Sequence, residues 1–417
     1  MKTLFAHIKG KHGTHNNQQH PQHLQYIRLA VLLCSLAALF SACSLFPQTS
    51  ETGGGTDQTG PSVTPTATHA AAATPTYVPP TITLQVTNCP TLAINWDALV
   101  GTHSGVNKVQ QVTCGSIEGA GSLAALVNVR YYAPGAKLDV YVYDNLAGTP
   151  NRSFSVQGLY NGDAVVSSIN TVSTAEVSPK DTVKGAPDLF KDYAWNGSGF
   201  AQDLFPGIYP EMTQYQADKT QTLINNELAN PNMKPVDAWQ LSPTEVTSHL
   251  ASTIFHWGSY TQQSLTPNIK KQVTITVSVT NTGSGGGGFT AILNRLDGNV
   301  NNILEVTQIT PFDTNIALSS PAVNATLHSP ISVSGSATAA GSVLGEAVVY
   351  DDMYVQVGTS GSIASPSSSG YVQFSKSVNF QLNASGEQEG VVAFYETSQN
   401  NALLSNQVVL IKVFLTA

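Results

Sequence analysis

Four cysteines are the most reactive side chains of the 417-residue chain. Cys34 lies inside an apolar run and Cys43 closes it, so Cys89 and Cys114 are the only pair in the part that can fold. Neither belongs to a Cys-x-x-Cys or stands near a His pair, so a disulfide fits them better than zinc. Five of the ten histidines crowd the first 23 residues, and His69 sits in a Thr/Pro-rich tract. His249 and His256 share a helical stretch but stand seven residues apart, not at the i, i+4 spacing of a zinc helix, and read as helix-flank or sheet-facing residues. Asp351-Asp352 and the Asp188/Asp192 pair could touch Ca²⁺, which takes about six or more oxygens. No EF-hand or repeated Asp pattern accompanies them, and they read as solvated edge carboxylates. Gly283, Gly285 and Gly288 spell G-x-G-x-x-G, but Phe289-Thr290-Ala291-Ile292-Leu293 then reads as a strand where a dinucleotide site needs a helix, so the glycines read as a hairpin loop. No catalytic residue, metal ligand or cofactor is assigned. Tyr193, Trp195, Phe200 and Tyr209 gather in a Gly/Pro-rich strip. Packing is the common fate of such residues, and a ligand groove stacking on sugars at a domain junction is the second reading. A glycan hydrolase would further need an acid pair facing that groove, for which Asp188, Asp192, Asp203 and Glu211 are the nearby carboxylates.

Elements that carry these residues follow from charge and pattern. The chain holds 18 Lys and Arg against 26 Asp and Glu, 11% charged and net −8, which argues against a nucleic-acid binder held by clustered phosphate contacts. Residues 1–42 contain Lys2, Lys9, Lys11 and Arg28, no acid, and an apolar run from Leu29 to Ala42. That order is the basic and apolar layout of a secretory leader. Phe40-Ser41-Ala42-Cys43 resembles the lipobox of bacterial lipoproteins, with Phe where that box has Leu. The resemblance implies lipidation of Cys43 and a body held at the extracytoplasmic face of the membrane. An uncleaved anchor is the alternative, since Leu29 to Phe46 approaches the roughly 18 apolar residues of a span. Residues 43–81 collapse to Thr, Pro, Gly, Ser and Ala and read as an extended spacer.

The rest reads as mainly β, in three segments. Residues 86–205 alternate β-branched and aromatic runs with turns, as in an antiparallel sheet or sandwich. Strands are expected at 108–114, 123–132, 137–143, 152–157 and 165–172. Leu138, Val140 and Val142 fall on one face and Asp139, Tyr141 and Tyr143 on the other. Residues 206–313 read as a small α+β module. Thr213 opens a helix to about Ala229, and Ser242-Pro243-Thr244-Glu245 opens a second with Val246, Leu250, Ile254 and Trp257 on one stripe. Trp239 and Trp257 bracket that helix as core residues, and strands follow at 272–280, 289–296 and 303–309, the last two joined at Asp297-Gly298-Asn299.

Residues 315–417 are again all β. The run from Ser320-Pro321 through Ser329-Pro330 to Ser334-Gly335-Ser336-Ala337 is similar to the opening of the immunoglobulin-like domain of bacterial spore germination proteins, and 372–380 and 390–396 resemble its central and late strands. The resemblance implies a bacterial envelope setting, a link to sporulation or germination, and no catalytic residues. Alternation alone gives a β-sandwich with Ile331/Val333, Phe374/Val378/Phe380, Val391/Ala393/Tyr395 and Val409/Ile411/Val413 turned inward. The expected function is a non-enzymatic, lipid-anchored extracytoplasmic protein that binds an envelope protein or cell-wall polysaccharide or has a structural part. The alternative is an exported hydrolase acting on cell-wall glycan. A transporter's solute-binding lipoprotein fits poorly, because α/β lobes need many helices and this chain offers two convincing ones.

Overall fold

The computed structural model describes residues 82–417 apart from 92, 134, 179–185, 231, 233–235, 284–285, 313–315, 340–341, 368–369, 383–385 and 399–400. The leader 1–42, Cys43, the spacer 43–81 and Gly285 lie outside the described residues. The fold is mainly β, with 21 strands in several sheets and three α-helices among the described residues.

β1 (Gln85–Thr87), β2 (Asn107–Gly115), β3 (Ala124–Tyr131), β4 (Leu138–Asp144) and β5 (Asn151–Leu159) form one sheet in that order, antiparallel except for β1 with β2. A second sheet is the meander β6 (Asp163–Val166), β7 (Val172–Glu176), β8 (Leu189–Trp195) and β9 (Phe200–Asp203). Leu138, Val140 and Val142 pack between the two sheets with Leu126, Ala164 and Val172. The opposite face of the first sheet is buried as well. Tyr141 and Tyr143 lie with Val109, Val112 and Val127 under the short α1 (Trp96–Val100). Asn95 starts α1 by accepting the Ala98 amide at 3.1 Å, and Gly101 stops it at φ 72°, a left-handed conformation open to glycine. Cys89 and Cys114 are disulfide-bonded beside this core.

The single strand expected at 165–172 is a hairpin, β6 to β7. Ser167 and Thr171 hydroxyls meet at 2.6 Å across its turn, and Asn170 takes φ 63°, which a short amide side chain tolerates.

α2 (Gln214–Ala229) starts where Thr213 accepts the Gln216 amide and ends before Pro231, as the sequence pattern predicts. Within its cap Gln216 Oε1 accepts from the Thr213 hydroxyl at 3.0 Å and the Met212 amide at 3.3 Å. α3 (Pro243–Thr253) is capped by Ser242 and turns fully buried Val246 and Leu250 onto a meander. That sheet is β10 (Tyr260–Ser264), β11 (Thr274–Asn281), β12 (Gly288–Arg295) and β13 (Leu304–Pro311). β10 has no sequence signal because Tyr-Thr-Gln-Gln-Ser offers one apolar side chain. Gly286 and Gly287 take φ 64° and 84° in the β11–β12 loop, so the glycine-rich stretch is a hairpin leading into a strand.

The last segment contributes β14 (Ile316–Ser320), β15 (Thr326–His328), β16 (Ile331–Ala339), β17 (Val343–Asp351), β18 (Gln356–Ala364), β19 (Gly370–Val378), β20 (Glu387–Ser398) and β21 (Asn401–Thr416). They form a sandwich of a three-stranded sheet, β14-β16-β19, and a five-stranded sheet, β15-β21-β20-β17-β18. Val333, Phe374 and Val378 meet Val349, Val392, Phe394 and Val413 between them, with the Phe374 and Phe394 rings stacked at 4.7 Å. Gly335 is required where β14 crosses, since a Cβ there would lie 2.2 Å from the Ala317 carbonyl oxygen.

One inward set is assigned to the wrong side by alternation. Val391, Ala393 and Tyr395 point away from the sandwich, onto β11–β13, and join Val277, Phe289, Val306, Val408 and Leu410 in one core. The five-stranded sheet is therefore a middle layer, apolar on both faces, and a continuous Val-Val-Ala-Phe run carries no parity signal. Each large side chain so buried contributes about 1.5–3 kcal/mol, enough to weld the α+β module to the C-terminal sandwich. The described residues belong to one compact unit.

Candidate functional site

Three of the four aromatic candidates come together. Tyr193 and Trp195 project from β8, and Phe200 opposes Trp195 on β9. Phe154 of β5 stands 5.0 Å from Tyr193 and 4.8 Å from Phe200, whose ring meets Trp195 at 5.3 Å. This ladder closes one end of the first sandwich and leaves half-buried Trp195 at its rim. There Trp195 borders an open cleft of about 430 Å³ with Ile117, Gly119, Gly121, Asn170 and Thr171. Tyr209 is elsewhere. Its ring is buried 5.7 Å from Tyr354 and 6.5 Å from Trp239, and its hydroxyl meets Thr253 Oγ1 at 3.2 Å.

A second cleft of about 450 Å³ lies between the β6–β7 turn, α2 and the Asp297 turn, lined by Ser168, Asp218, Asn225, Asp297 and Asn302. Asp218 accepts from the Ser168 amide and hydroxyl at 2.9 and 2.6 Å and from Gln214 Nε2 at 2.9 Å. Asp297 takes φ 55°, and burial, then neighbouring Asp218, pushes its carboxyl above the ordinary range.

The carboxylates expected at the aromatic strip divide. Asp203 is exposed and Asp188 accepts the Ser178 amide, whereas Asp192 and Glu211 turn inward. There they belong to a buried junction formed by β8, residues 205–213, β13, the end of β17, β20 and β21. Lys412 Nζ stands 2.8 Å from Glu389 Oε2 in a buried ion pair, and donates to the carbonyls of Gly207 and Met212 at 2.8 and 2.6 Å. Glu389 Oε1 accepts the Phe205 amide at 3.2 Å. Asp192 accepts the Gln214 amide at 3.0 Å, and Glu305 the Glu211 amide at 3.2 Å. Glu211 accepts from Thr220 and Gln240 at 2.9 and 3.2 Å. Asp351 and Asp352 are not solvated edge carboxylates. They are 6% and 2% exposed, because Asp351 folds back to accept the Met353 and Val355 amides while Asp352 lies under β8 beside Glu389.

Removal from water dominates the electrostatics here. Burial lifts Asp192 to about 6, with Asp218 and Asp203 adding to the rise. Burial also lifts Glu389 to about 7 against the smaller opposing pull of Lys412, and holds Glu305 and Asp352 well above the carboxylate range. A single charge inside the apolar run Val408-Val-Leu-Ile-Lys-Val-Phe-Leu415 was the available sequence signal for Lys412. Such a residue in a central strand needs a buried partner.

The two histidines stay apart. His249 stacks on Trp239 at 4.0 Å and His256 lies 6.3 Å from the Tyr395 ring, both exposed. Among the described residues no group of three or more His, Cys, Asp or Glu is arranged to hold a metal, and no helix is long and apolar enough to cross a membrane.

No protein-family model and no curated protein matches the chain. Among solved structures it is similar to the C-terminally truncated trimeric ectodomain of the C. elegans fusion protein EFF-1, at 7% identity and a TM-score of 0.15. The match covers 71% of this chain and 66% of that one, less than two thirds of its length, and a score that low carries no argument.

Proposed function

We propose that the chain is a lipid-anchored extracytoplasmic protein with a non-catalytic binding or structural role in the cell envelope, its spacer carrying the β-rich body away from the membrane. Supporting the location are the basic and apolar leader, Cys43 and the Thr/Pro-rich spacer. The resemblance of 315–417 to the immunoglobulin-like domain of spore germination proteins extends the proposal to a link with sporulation or germination. One observation favours binding over hydrolysis. Of the carboxylates near the aromatic strip, Asp192 and Glu211 turn into the junction, Asp192 bound to the Gln214 amide and Glu211 to Thr220 and Gln240, while the rim at Trp195 is open and lined by neutral side chains. An aromatic edge flanked by Asn, Thr and glycine suits stacking on a sugar ring with hydrogen bonds at its border.

The test is co-sedimentation of the chain with purified cell-wall polysaccharide, comparing wild type with Trp195→Ala. Retention by wild type with a loss of about tenfold in the variant, the order of a stacking contact plus its hydrogen bonds, supports the proposal. Equal retention of both proteins, or none of either, overturns the Trp195 cleft as the site.

An exported glycan hydrolase is the second reading. It has one observation in its favour: Asp218 and Asp297 line the same open cleft, and Asp297 is held above the ordinary carboxylate range. Release of reducing ends by wild type, abolished in Asp297→Asn, would establish it.

A further inference from the structure

The N-terminal sandwich meets the layers behind it through one apolar cluster and a set of polar contacts. Its apolar part is Phe190 and Ala175 against Tyr215 of α2, with Phe190 and Tyr215 stacked at 5.5 Å. The rest is polar: Ser168 with Asp218, the Tyr215 hydroxyl on Asp163 at 2.7 Å, exposed Lys219 near Asp163, and Asp192 under the first amide of α2. Residues 205–213, by contrast, are fixed to the rear layers. Phe205 is bound to Glu389, Gly207 and Met212 to Lys412, and Ile208 and Tyr209 pair with Val306 at 2.7 Å. Asp203-Leu204 is the connection between the end of β9, where Asp203 pairs with Asp192, and this fixed segment.

Across the surface, acids face acids. Asp192 on β8 meets Glu389 on β20, with Asp352 on the same side; Lys412 on β21 is the cation that faces them. Asp203 and Asp218 flank Asp192, Asp351 flanks Asp352, and Glu305 with Glu211 lies on the far side of Lys412. The Ser173 hydroxyl and the Gln214 amide face Asp192, and the Phe190 amide faces Asp352.

We propose that the N-terminal sandwich is a detachable body, docked through protons held by Asp192, Glu389 and Asp352, and released as those protons leave. Undocking returns these groups to water, where carboxylates ionise in the ordinary range, so the docked form binds more protons than the free form. Their affinity is raised on docking, so by linkage docking is strongest in acid and weakens as pH climbs from the ordinary carboxylate range to about 7, by up to about tenfold per pH unit for each group. Such a body would present α2 and the inner face of β8 only in neutral or alkaline surroundings.

Hydroxyl-radical footprinting of the full chain, read by mass spectrometry at pH 5 and pH 8, tests this. Phe190 and Tyr215, 5% and 7% exposed when docked, are the reporters, and Phe289 and Phe394 in the rear cores are the references. Oxidation of both reporters should rise by about threefold or more at pH 8 with the references unchanged. In Asp192→Asn/Asp352→Asn/Glu389→Gln the rise should vanish, and in Asp192→Asn alone it should shrink. Reporters protected equally at both pH values overturn the proposal, as does a triple variant that still responds. Oxidation of the references together with the reporters would mean general unfolding, and would overturn it too.

Discussion

Glu389→Gln breaks a buried ion pair, a change that ordinarily costs 3–5 kcal/mol, yet the junction predicts a gain. The folded protein raises Glu389 from the ordinary 4.5 to about 7, with burial outweighing Lys412. At about 1.4 kcal/mol per tenfold change in proton affinity, the ionised side chain is disfavoured in the fold by about 3 kcal/mol. Because the folded affinity for the proton is raised, the native state binds more protons than the unfolded chain between about pH 4.5 and 7, and stability falls as pH rises through that window. Glutamine has the shape of the protonated acid and never ionises. It should therefore be neutral at pH 4.5 and stabilising by up to about 3 kcal/mol at pH 8, the full gain belonging to the docked form. Lys412 keeps the Gly207 and Met212 carbonyls, so its ammonium is not stranded. Urea denaturation followed by tryptophan fluorescence at the two pH values measures the difference. A loss of 3–5 kcal/mol at pH 8 would refute the reasoning, because it would mean that Coulomb attraction to Lys412 exceeds the cost of burial.

Two further changes probe the scaffold. Cys89→Ser/Cys114→Ser opens a loop with 25 residues of separation and should lower stability by about 3 kcal/mol in the chain-entropy picture, read as a fall in the denaturation midpoint. Phe289→Ala removes a ring packed at 4.7 Å on Phe255 and 5.5 Å on Trp257, and should cost about 3–5 kcal/mol by calorimetry. Because that core includes Val391 and Leu410, protection from hydrogen exchange should drop in β20 and β21 as well as in β12.

Local chemistry was legible and layer order was not. Thr213 and Ser242 announce their helices because an N-cap acts within four residues, and Asp297-Gly298 announces its turn because both take left-handed φ, 55° and 66°. The cysteine pair was readable from count and compartment. What failed depends on what covers a strand. Val391 and Val392 are equally apolar, so nothing in sequence says which faces β11–β13 and which faces β16 and β19. Asp351-Asp352 reads as a polar edge until β8 is laid over it. At the aromatic strip, Tyr193, Trp195 and Phe200 share a hairpin and stay together, whereas Tyr209 follows the segment anchored by Val306 and enters another core.

Everything proposed about location rests on the chain's passage out of the cell on a lipid at Cys43. Mass spectrometry of the mature N-terminus in the native membrane fraction tests it most directly. The account predicts a chain beginning at Cys43 and carrying a diacylglycerol group. A chain that begins at Met1, or a Cys43 without lipid, would contradict it.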